Sequence, residues 1–350
     1  MNKLLKIEIA VLVILLAVAV AVRVGNIGQP EQPTLSDQEN TGTAGSSGVP
    51  ENSLPDQPQP TETTQPTETV PPETEPPVVL TFAEDFTLES GHYFVYDCAR
   101  ENVMAVSGEM TDKIYPASVT KLFTAYVALR YLEPETVVTV GQEVNMVAAD
   151  SSLAYIKNGQ ELTVAQLVEG MLLPSGNDAA YAVAAAAARV KSGDSGLSAS
   201  EAVKYFVNMM NETAQELGMT GTNFRNPDGY HDHEHYTNCA DLVTIARLAL
   251  DNELIRTCTS TYSDRVTYSS GQIATWTNTN ALINPDSQYY CADAVGLKTG
   301  STSYAGFCLL SAFELEGDYI IIGSFGCVRP EDRFIDTLKL YNLVLDAFAV

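Results

Sequence analysis

The chain has 350 residues, of which 45% are apolar, enough for one large or two ordinary domains with a sizeable core. Its formal net charge of −25 excludes DNA and RNA as partners, because nucleic-acid binding draws its affinity mainly from Lys and Arg on phosphates. No Lys or Arg occurs between Arg23 and Arg100, so much of the negative charge belongs to an N-terminal tail.

The first 25 residues have the pattern of an export signal, with Lys3 and Lys6 ahead of an uninterrupted apolar run from Ile9 to Val22. The run fits the core of a cleavable signal peptide, and counted from Leu4 it approaches the length that spans a bilayer. We therefore predict residues 1–25 to be a signal peptide or an N-terminal anchor in the cytoplasmic membrane. Both assignments place the rest of the chain outside the cytoplasm, because early lysines favour the inner side.

Residues 26–79 are dominated by Pro, Thr, Glu, Gln and Ser, as in QPTETTQPTETVPPETEPP. Such a composition cannot bury enough apolar surface to offset chain entropy, so we predict a disordered linker rich in polyproline II. A stalk of this kind carries a domain away from a membrane, which favours the anchor over the cleaved signal. Residues 80–350 then form the folded domain.

The folded domain is predicted to begin and end with strands. HYFVYDC (92–98) and NVMAVSG (102–108) predict a hairpin, and residues 292–299, 304–312 and 319–327 predict three more strands before a helix over 330–348. Helices are predicted between them, starting near residues 118, 163, 177, 198 and 238, two of them with capping-box sequences. This order predicts an α+β domain, with a mainly antiparallel sheet built from both ends and a helical block inserted between them.

Ser118 and Lys121 are the first candidate site residues. Pro116 suits the first turn of a helix, and apolar residues follow at helical spacing, so Ser118 is predicted to lie at a helix start. Lys121 then lies one turn away on the same face, where its amine can meet and activate the serine hydroxyl. A Ser-x-x-Lys spacing also arises by chance in a chain of this length, so alone it is weak evidence.

Two further motifs follow, Ser175-Gly176-Asn177 and Lys298-Thr299-Gly300. Alone, the first is typical of a helix-breaking turn and the second of a strand end. The three motifs in this order predict one site. They resemble those of serine penicillin-binding proteins and serine β-lactamases, where the three motifs converge on one cleft.

The sequence is most similar to low-molecular-weight penicillin-binding proteins, the serine-type D-alanyl-D-alanine carboxypeptidases of bacterial cell walls. The resemblance runs from about Tyr93 to the C-terminus and includes YPASVTKLFTAY, LVEGMLLPSGNDAA and VGLKTGSTSYAGFCLL. It implies the serine β-lactamase/penicillin-binding (DD-peptidase) fold, an antiparallel sheet flanked by helices plus a helical subdomain. It implies neither a metal nor an organic cofactor.

The resemblance also implies roles in the reaction. Ser118 is expected to attack the carbonyl of the penultimate D-alanine and Lys121 to accept its proton, with Lys298 as the positive neighbour that keeps the amine partly neutral. Ser175 is expected to relay a proton toward the leaving amine. Asn177 offers an amide that can hold both Lys121 and the substrate backbone.

The remaining candidates are expected to bind substrate. Thr299 would hydrogen-bond the terminal carboxylate, and Gly300 would let the substrate lie against the strand as an added edge. The N–H of Ser301 is expected to complete an oxyanion hole with the N–H of the nucleophile. Arg333 matches a family position that helps to draw in the carboxylate, and Arg329 is the alternative.

His231, His233 and His235 raise a competing metal hypothesis. In an extended loop their alternate spacing would put all three imidazoles on one side, where they could chelate zinc. The segment resembles the family's stretch after Asn-Pro-x-Gly, which has no metal role, so residues 226–229 are better explained as a rigid turn behind the site. The six cysteines permit disulfides without prescribing a pairing.

We therefore expect a penicillin-sensitive carboxypeptidase that trims peptidoglycan stem peptides ending in D-Ala-D-Ala through an acyl-enzyme on Ser118, with β-lactams as covalent inhibitors. A peptidoglycan DD-endopeptidase, a class A-like β-lactamase and a non-catalytic β-lactam sensor remain alternatives. The β-lactamase needs a carboxylate for the deacylating water, and the expected acidic motif is not evident between Ser118 and Lys298. The sensor normally needs a signalling partner or domain.

Overall fold

The computed structural model describes residues 77–349. The predicted signal or anchor segment and all but the last residues of the predicted linker lie outside these residues. Between residues 77 and 349, no helix is long and apolar enough to cross a lipid bilayer. The strands in this part of the chain are β1 His92–Asp97, β2 Asn102–Val106, β3 Val137–Thr139, β4 Glu161–Thr163, β5 Ser263–Thr267, β6 Ile273–Thr277, β7 Ala294–Thr302, β8 Gly306–Leu315 and β9 Asp318–Cys327.

Five antiparallel strands form the central sheet, in the order β2-β1-β9-β8-β7. The N-terminal hairpin joins the C-terminal strands through β1 and β9, where Val95 lies opposite Ile322. Strand β7 is at the edge of the sheet and pairs only with β8 in it. Both ends of the folded domain therefore contribute to one sheet, as predicted.

The helices cover both faces of the sheet. Their bounds are α1 Thr120–Leu129, α2 Val164–Leu172, α3 Asn177–Ser192, α4 Ala199–Glu216, α5 Cys239–Asp251, α6 Glu253–Ser260 and α7 Asp332–Phe348.

Two hydrophobic cores lie on the opposite faces. Leu309 of β8 belongs to the core under α7, and its neighbour Leu310 belongs to the core shared with the helical block, because successive strand side chains point to opposite faces. On the α7 side, the rings of Phe313 and Tyr341 stack with their centroids 4.0 Å apart. The sheet is thus buried on both sides, which explains the nearly continuous apolar runs of β8 and β9.

The helical block lies between α1 and α6, with the alanine-rich α3 at its centre. The alanines of α3 are buried, and their small side chains let α1, α2 and α4 pack closely around it. The capping boxes predicted at the starts of α2 and α4 are present, with Thr163 accepting from the Gln166 N–H and Ser198 from the Glu201 N–H. These caps fix where two helices of the block begin.

Most predicted elements are confirmed, with bounds shifted by a few residues. The sequence does not predict α6, the β3–β4 pair or the β5–β6 hairpin, because these segments are short and their polar or mixed residues give no clear period. All six cysteines are free thiols, so none of the possible disulfides is formed.

Candidate active site

Ser118 lies in a single 3-10 turn, Ala117–Val119, which leads directly into α1. The predicted helix start is therefore confirmed. Ala117, just before the serine, has a left-handed φ of 48°, which strains a residue with a side chain. Three residues on, Lys121 places Nζ 2.8 Å from Ser118 Oγ, so the amine and the hydroxyl meet as the spacing predicts.

The Lys121 side chain is fully buried. Its Nζ donates a second hydrogen bond, also 2.8 Å, to the backbone carbonyl of Asp228. Burial lowers the pKa of Lys121 to about 8, and the charges of Asp228 and Asp178 oppose this shift. A useful fraction of the amine is therefore neutral near pH 7, as a proton acceptor requires.

The turn at residues 226–229 lies directly behind the nucleophile. Gly229 has φ 82°, and a Cβ there would stand 1.8 Å from the Ala117 carbonyl oxygen. Asn226 Oδ1 accepts from the Gly229 N–H at 2.8 Å, and Thr124 donates its hydroxyl hydrogen to the Pro227 carbonyl at 2.6 Å. The predicted rigid turn is confirmed, and only glycine fits where it meets the strained residue before Ser118.

Strand β7 passes on the other side of the nucleophile. Gly300 faces the Ser118 turn so closely that a Cβ would lie 3.0 Å from Ser118 N and from the Pro116 carbonyl oxygen. Thr299 pairs its hydroxyl with that of Thr279. Because Gly300 has no side chain, β7 can approach the Ser118 backbone closely. The resemblance implies a second use of this glycine, which is to let the substrate lie against the strand.

Lys298 belongs to the same strand, where its side chain is buried, and its Nζ donates to the Thr299 carbonyl at 3.1 Å. Burial lowers its pKa well below the ordinary value, and the positive charges of Lys121 and Arg333 lower it further. Lys298 is therefore close enough to Lys121 for the two charges to interact. The charges that act most strongly on Lys121 are nevertheless those of Asp228 and Asp178, which raise its pKa.

The second motif forms a turn between α2 and α3. Ser175 has a left-handed φ of 61° and is nearly buried. Asn177 is the first residue of α3, and its amide Nδ2 donates to Ser151 Oγ at 2.9 Å. The next residue, Asp178, accepts from the backbone N–H groups of Ala154 and Ile156, both at 2.8 Å. The start of α3 therefore fixes the loop that faces Ser118.

A cleft of about 140 Å³ lies between these elements, lined by Ser118 of the first motif, Asn177 of the second and the residues that directly follow the third. Opposite walls are joined across it by the Tyr230 hydroxyl, which donates to Asp150 Oδ1 at 3.0 Å. The contribution of the loop of Asp150, Ser151 and Ser152 to the cleft was not predicted from the sequence. Its only signal there is Asp178, the aspartate directly after Asn177. The lining residues are Ser118, Asp150, Ser151, Ser152, Asn177, Gly229, Tyr230, His231, Ser301, Thr302 and Ser303.

Comparison with known proteins assigns this arrangement to a family. The family model described as D-alanyl-D-alanine carboxypeptidase, peptidase S11, matches residues 79–323. The chain belongs to the D-alanyl-D-alanine carboxypeptidase family.

Curated members of this carboxypeptidase family resemble the chain at moderate identity. The D-alanyl-D-alanine carboxypeptidase of Streptomyces sp. strain K15 is 35% identical over 64% of this chain and 77% of its own length. DacF of Bacillus subtilis strain 168 is 28% identical over 68% of this chain and 57% of its own length. The chain thus spans little more than half of DacF.

Solved structures support the same fold. The crystal structure of the Streptomyces K15 DD-transpeptidase has a TM-score of 0.66 and 29% identity, and the match covers 77% of this chain and 100% of that one. The α+β carboxypeptidase fold predicted from the motifs, an antiparallel sheet flanked by helices with a helical subdomain, is therefore confirmed.

Arg333 of this carboxypeptidase-family domain lies behind β7 rather than among the residues that line the cleft. Its guanidinium donates to the Gly300 carbonyl at 3.2 Å and packs against the rings of Phe307 and Phe334. Arg329 is held in an ion pair with Asp332 at 2.6 Å. Of the two arginines, Arg333 alone contacts the third motif directly.

The expectation that three histidines share one side of a loop is wrong. His235 is buried behind α1, where its Nδ1 accepts from the Arg225 N–H and its Nε2 therefore donates to Thr120 Oγ1 at 2.9 Å. His231 instead stacks on Tyr304 beside the cleft, with ring centroids 3.8 Å apart. Within residues 77–349, no group of three or more His, Cys, Asp or Glu side chains is arranged to hold a metal ion.

Proposed function

We propose that this protein is a penicillin-sensitive serine D-Ala-D-Ala carboxypeptidase that trims peptidoglycan stem peptides. The observation that carries the proposal is the 2.8 Å contact between Lys121 Nζ and Ser118 Oγ in a cleft also lined by Asn177 and Ser301. Membership of the carboxypeptidase family supports the substrate class.

Acylation begins when Ser118 Oγ attacks the carbonyl carbon of the penultimate D-alanine. The hydroxyl proton moves to Lys121, which is suited to this because burial leaves part of the amine neutral. The N–H groups of Ser118 and Ser301 stabilise the oxyanion, a contribution of about 10²–10³ in rate for one such donor in other acyl-transfer enzymes. A proton relayed by Ser175 allows the terminal D-alanine to leave as an amine, and water then hydrolyses the ester.

The substrate is proposed to bind along β7, an edge strand of the sheet. Thr299 and Lys298 receive the terminal carboxylate, and Gly300 leaves room for the peptide beside the strand. Asn177 holds the substrate backbone on the opposite wall. Arg333 adds positive charge from behind the strand, through its contact with the Gly300 carbonyl. Its proposed role is thus attraction at short range rather than direct contact.

The cell-wall substrate places the reaction outside the cytoplasm, in the bacterial cell envelope. We propose that residues 1–25 anchor the protein to the cytoplasmic membrane or direct its secretion, that residues 26–79 are a linker, and that residues 80–350 are the enzyme. No metal or organic cofactor takes part in the proposed reaction.

The test compares three substrates with purified protein: a pentapeptide ending in D-Ala-D-Ala, a cross-linked peptide dimer and a chromogenic cephalosporin. We expect release of D-alanine from the pentapeptide and slow turnover of the cephalosporin, with both activities lost in Ser118→Ala. Preferential cleavage of the dimer would favour the endopeptidase. Rapid cephalosporin turnover without D-alanine release would favour the β-lactamase, and acylation without D-alanine release would favour the sensor.

A further inference from the structure

Asp228 is a buried carboxylate at the centre of the site that none of the three motifs includes. Its side chain lies in the turn behind Ser118 and is 1% exposed. One carboxylate oxygen, Oδ1, accepts from the Tyr230 N–H at 3.2 Å. The other, Oδ2, is buried without a hydrogen-bond partner. Leaving such an oxygen unpaired is costly, so a nearby charge that compensates for it is expected.

Lys121 is that charge. Its ammonium donates to the Asp228 backbone carbonyl at 2.8 Å, which brings the ammonium to the residue that carries the carboxylate, and the two charges act on each other. Burial raises the pKa of Asp228, and Lys121 opposes that shift together with the neighbouring Asn177 amide. In return, Asp228 is the strongest charge that raises the pKa of Lys121.

We propose that Asp228 is a positioning residue of this reaction, supplying the counter-charge to the ammonium that forms on Lys121 when Ser118 loses its proton. The inference rests on the proposed acyl-enzyme function. As the Ser118 Oγ–carbon bond forms, the hydroxyl proton moves to Lys121 Nζ, and the positive charge created there faces the Asp228 carboxylate. The attraction is stronger after proton transfer than before it, so it stabilises the transition state more than the resting enzyme.

Other titratable groups also face this pair of side chains. Asp178 at the start of α3 also raises the pKa of Lys121. Lys298 on β7 faces Lys121 and is itself affected by Arg333, and His235 faces Lys121 from behind α1. Tyr181 of α3 faces Asp228. Among them Asp178 already accepts three backbone N–H groups, which leaves Asp228 as the carboxylate with an unpaired oxygen.

The test measures the rate of acylation by benzylpenicillin as a function of pH for the full chain and for Asp228→Asn. The variant keeps the shape of the side chain and removes its charge. We expect the rising limb of the profile to move to lower pH by about one unit, since an opposite charge at this range typically shifts a pKa by about 1–3 units. The plateau should fall severalfold, because a weaker base transfers the proton less readily. A purely structural role would lower the rate at all pH values without moving the limb.

Asp241→Asn is the matched control. Asp241 is also buried and also hydrogen-bonded, to the Gly221 N–H and the Thr222 hydroxyl, but it is not among the charges that act on Lys121. We expect the rising limb of the Asp241→Asn profile to stay at the wild-type pH. Asp228→Glu, which keeps the charge, should bring the rising limb back toward that position. Asp228→Thr provides a second neutral variant if the asparagine variant does not fold.

An acylated Asp228→Asn or Asp228→Thr protein with an unmoved limb would overturn the inference. That outcome is distinct from failure of the proposed function, in which the wild-type protein itself is neither acylated nor releases D-alanine.

Discussion

Replacing Gly229 by alanine should disable the nucleophile through its backbone. The added Cβ would stand 1.8 Å from the Ala117 carbonyl oxygen, about 1.6 Å short of ordinary van der Waals contact. Either the turn or the Ser118 segment must then move. The strained φ of 82° costs about 1 kcal/mol for a residue with a side chain, and overpacking adds about 1–3 kcal/mol, so unfolding free energy should fall by about 2–4 kcal/mol.

The same displacement changes the geometry of the reaction. The turn carries the carbonyl that holds Lys121, and Ala117 precedes Ser118, so a shift of about 1 Å at either place should slow acylation by about 10²-fold. Acylation is measured with a fluorescent penicillin and stability by urea denaturation.

Gly159→Ala is the control, because Gly159 has nearly the same φ, 83°, with no atom within 4 Å of an added Cβ. The free energy of unfolding of this variant should fall by about 1 kcal/mol, and its acylation rate should equal that of the wild type. Equal acylation rates in the two variants would refute the argument.

Two further predictions concern buried titrating groups. The acylation rate should rise about tenfold per pH unit up to about pH 8 and then level off, because Lys121 acts as a base only when neutral and its pKa is lowered to about 8. A pH-rate profile measures this. A flat profile between pH 6 and 8 would contradict the prediction. Burial lowers the pKa of His235 to about 3 in the folded protein. As pH falls below about 6.5, this imidazole is therefore protonated in the unfolded chain while it stays neutral in the folded one. Stability should therefore drop by about 2 kcal/mol between pH 7.5 and 5 from this group alone, and His235→Asn should lose that part of the pH dependence in urea titrations.

Local signals account for the parts of the fold and site that could be predicted. Capping sequences at Thr163 and Ser198 are satisfied by neighbours three residues away, so they can be read directly from the sequence. The contact of Lys121 with Ser118 is likewise a property of one helical turn. Apolar runs ahead of the C-terminal helix identified the strands of the sheet, although β7 continues three residues beyond its predicted end.

Contacts between distant loops could not be predicted in this way. Asp228 reaches Lys121 across 107 residues of sequence, and Tyr230 reaches Asp150 across 80. Neither pair has a periodic or capping signature, because tertiary packing alone brings the loops together. The histidine segment shows the same limit. Its alternating pattern predicted three rings on one side, but His235 is buried against Thr120 of α1, whereas His231 and His233 contact each other.

The role proposed for Ser118 is that of the nucleophile that forms an acyl-enzyme. It is tested most directly by the intact mass of the protein after treatment with benzylpenicillin, followed by peptide mapping of the adduct. We predict a single penicilloyl group on the peptide that contains Ser118, and no adduct in Ser118→Ala. An unmodified wild-type protein, or an adduct on a different residue, would contradict the account.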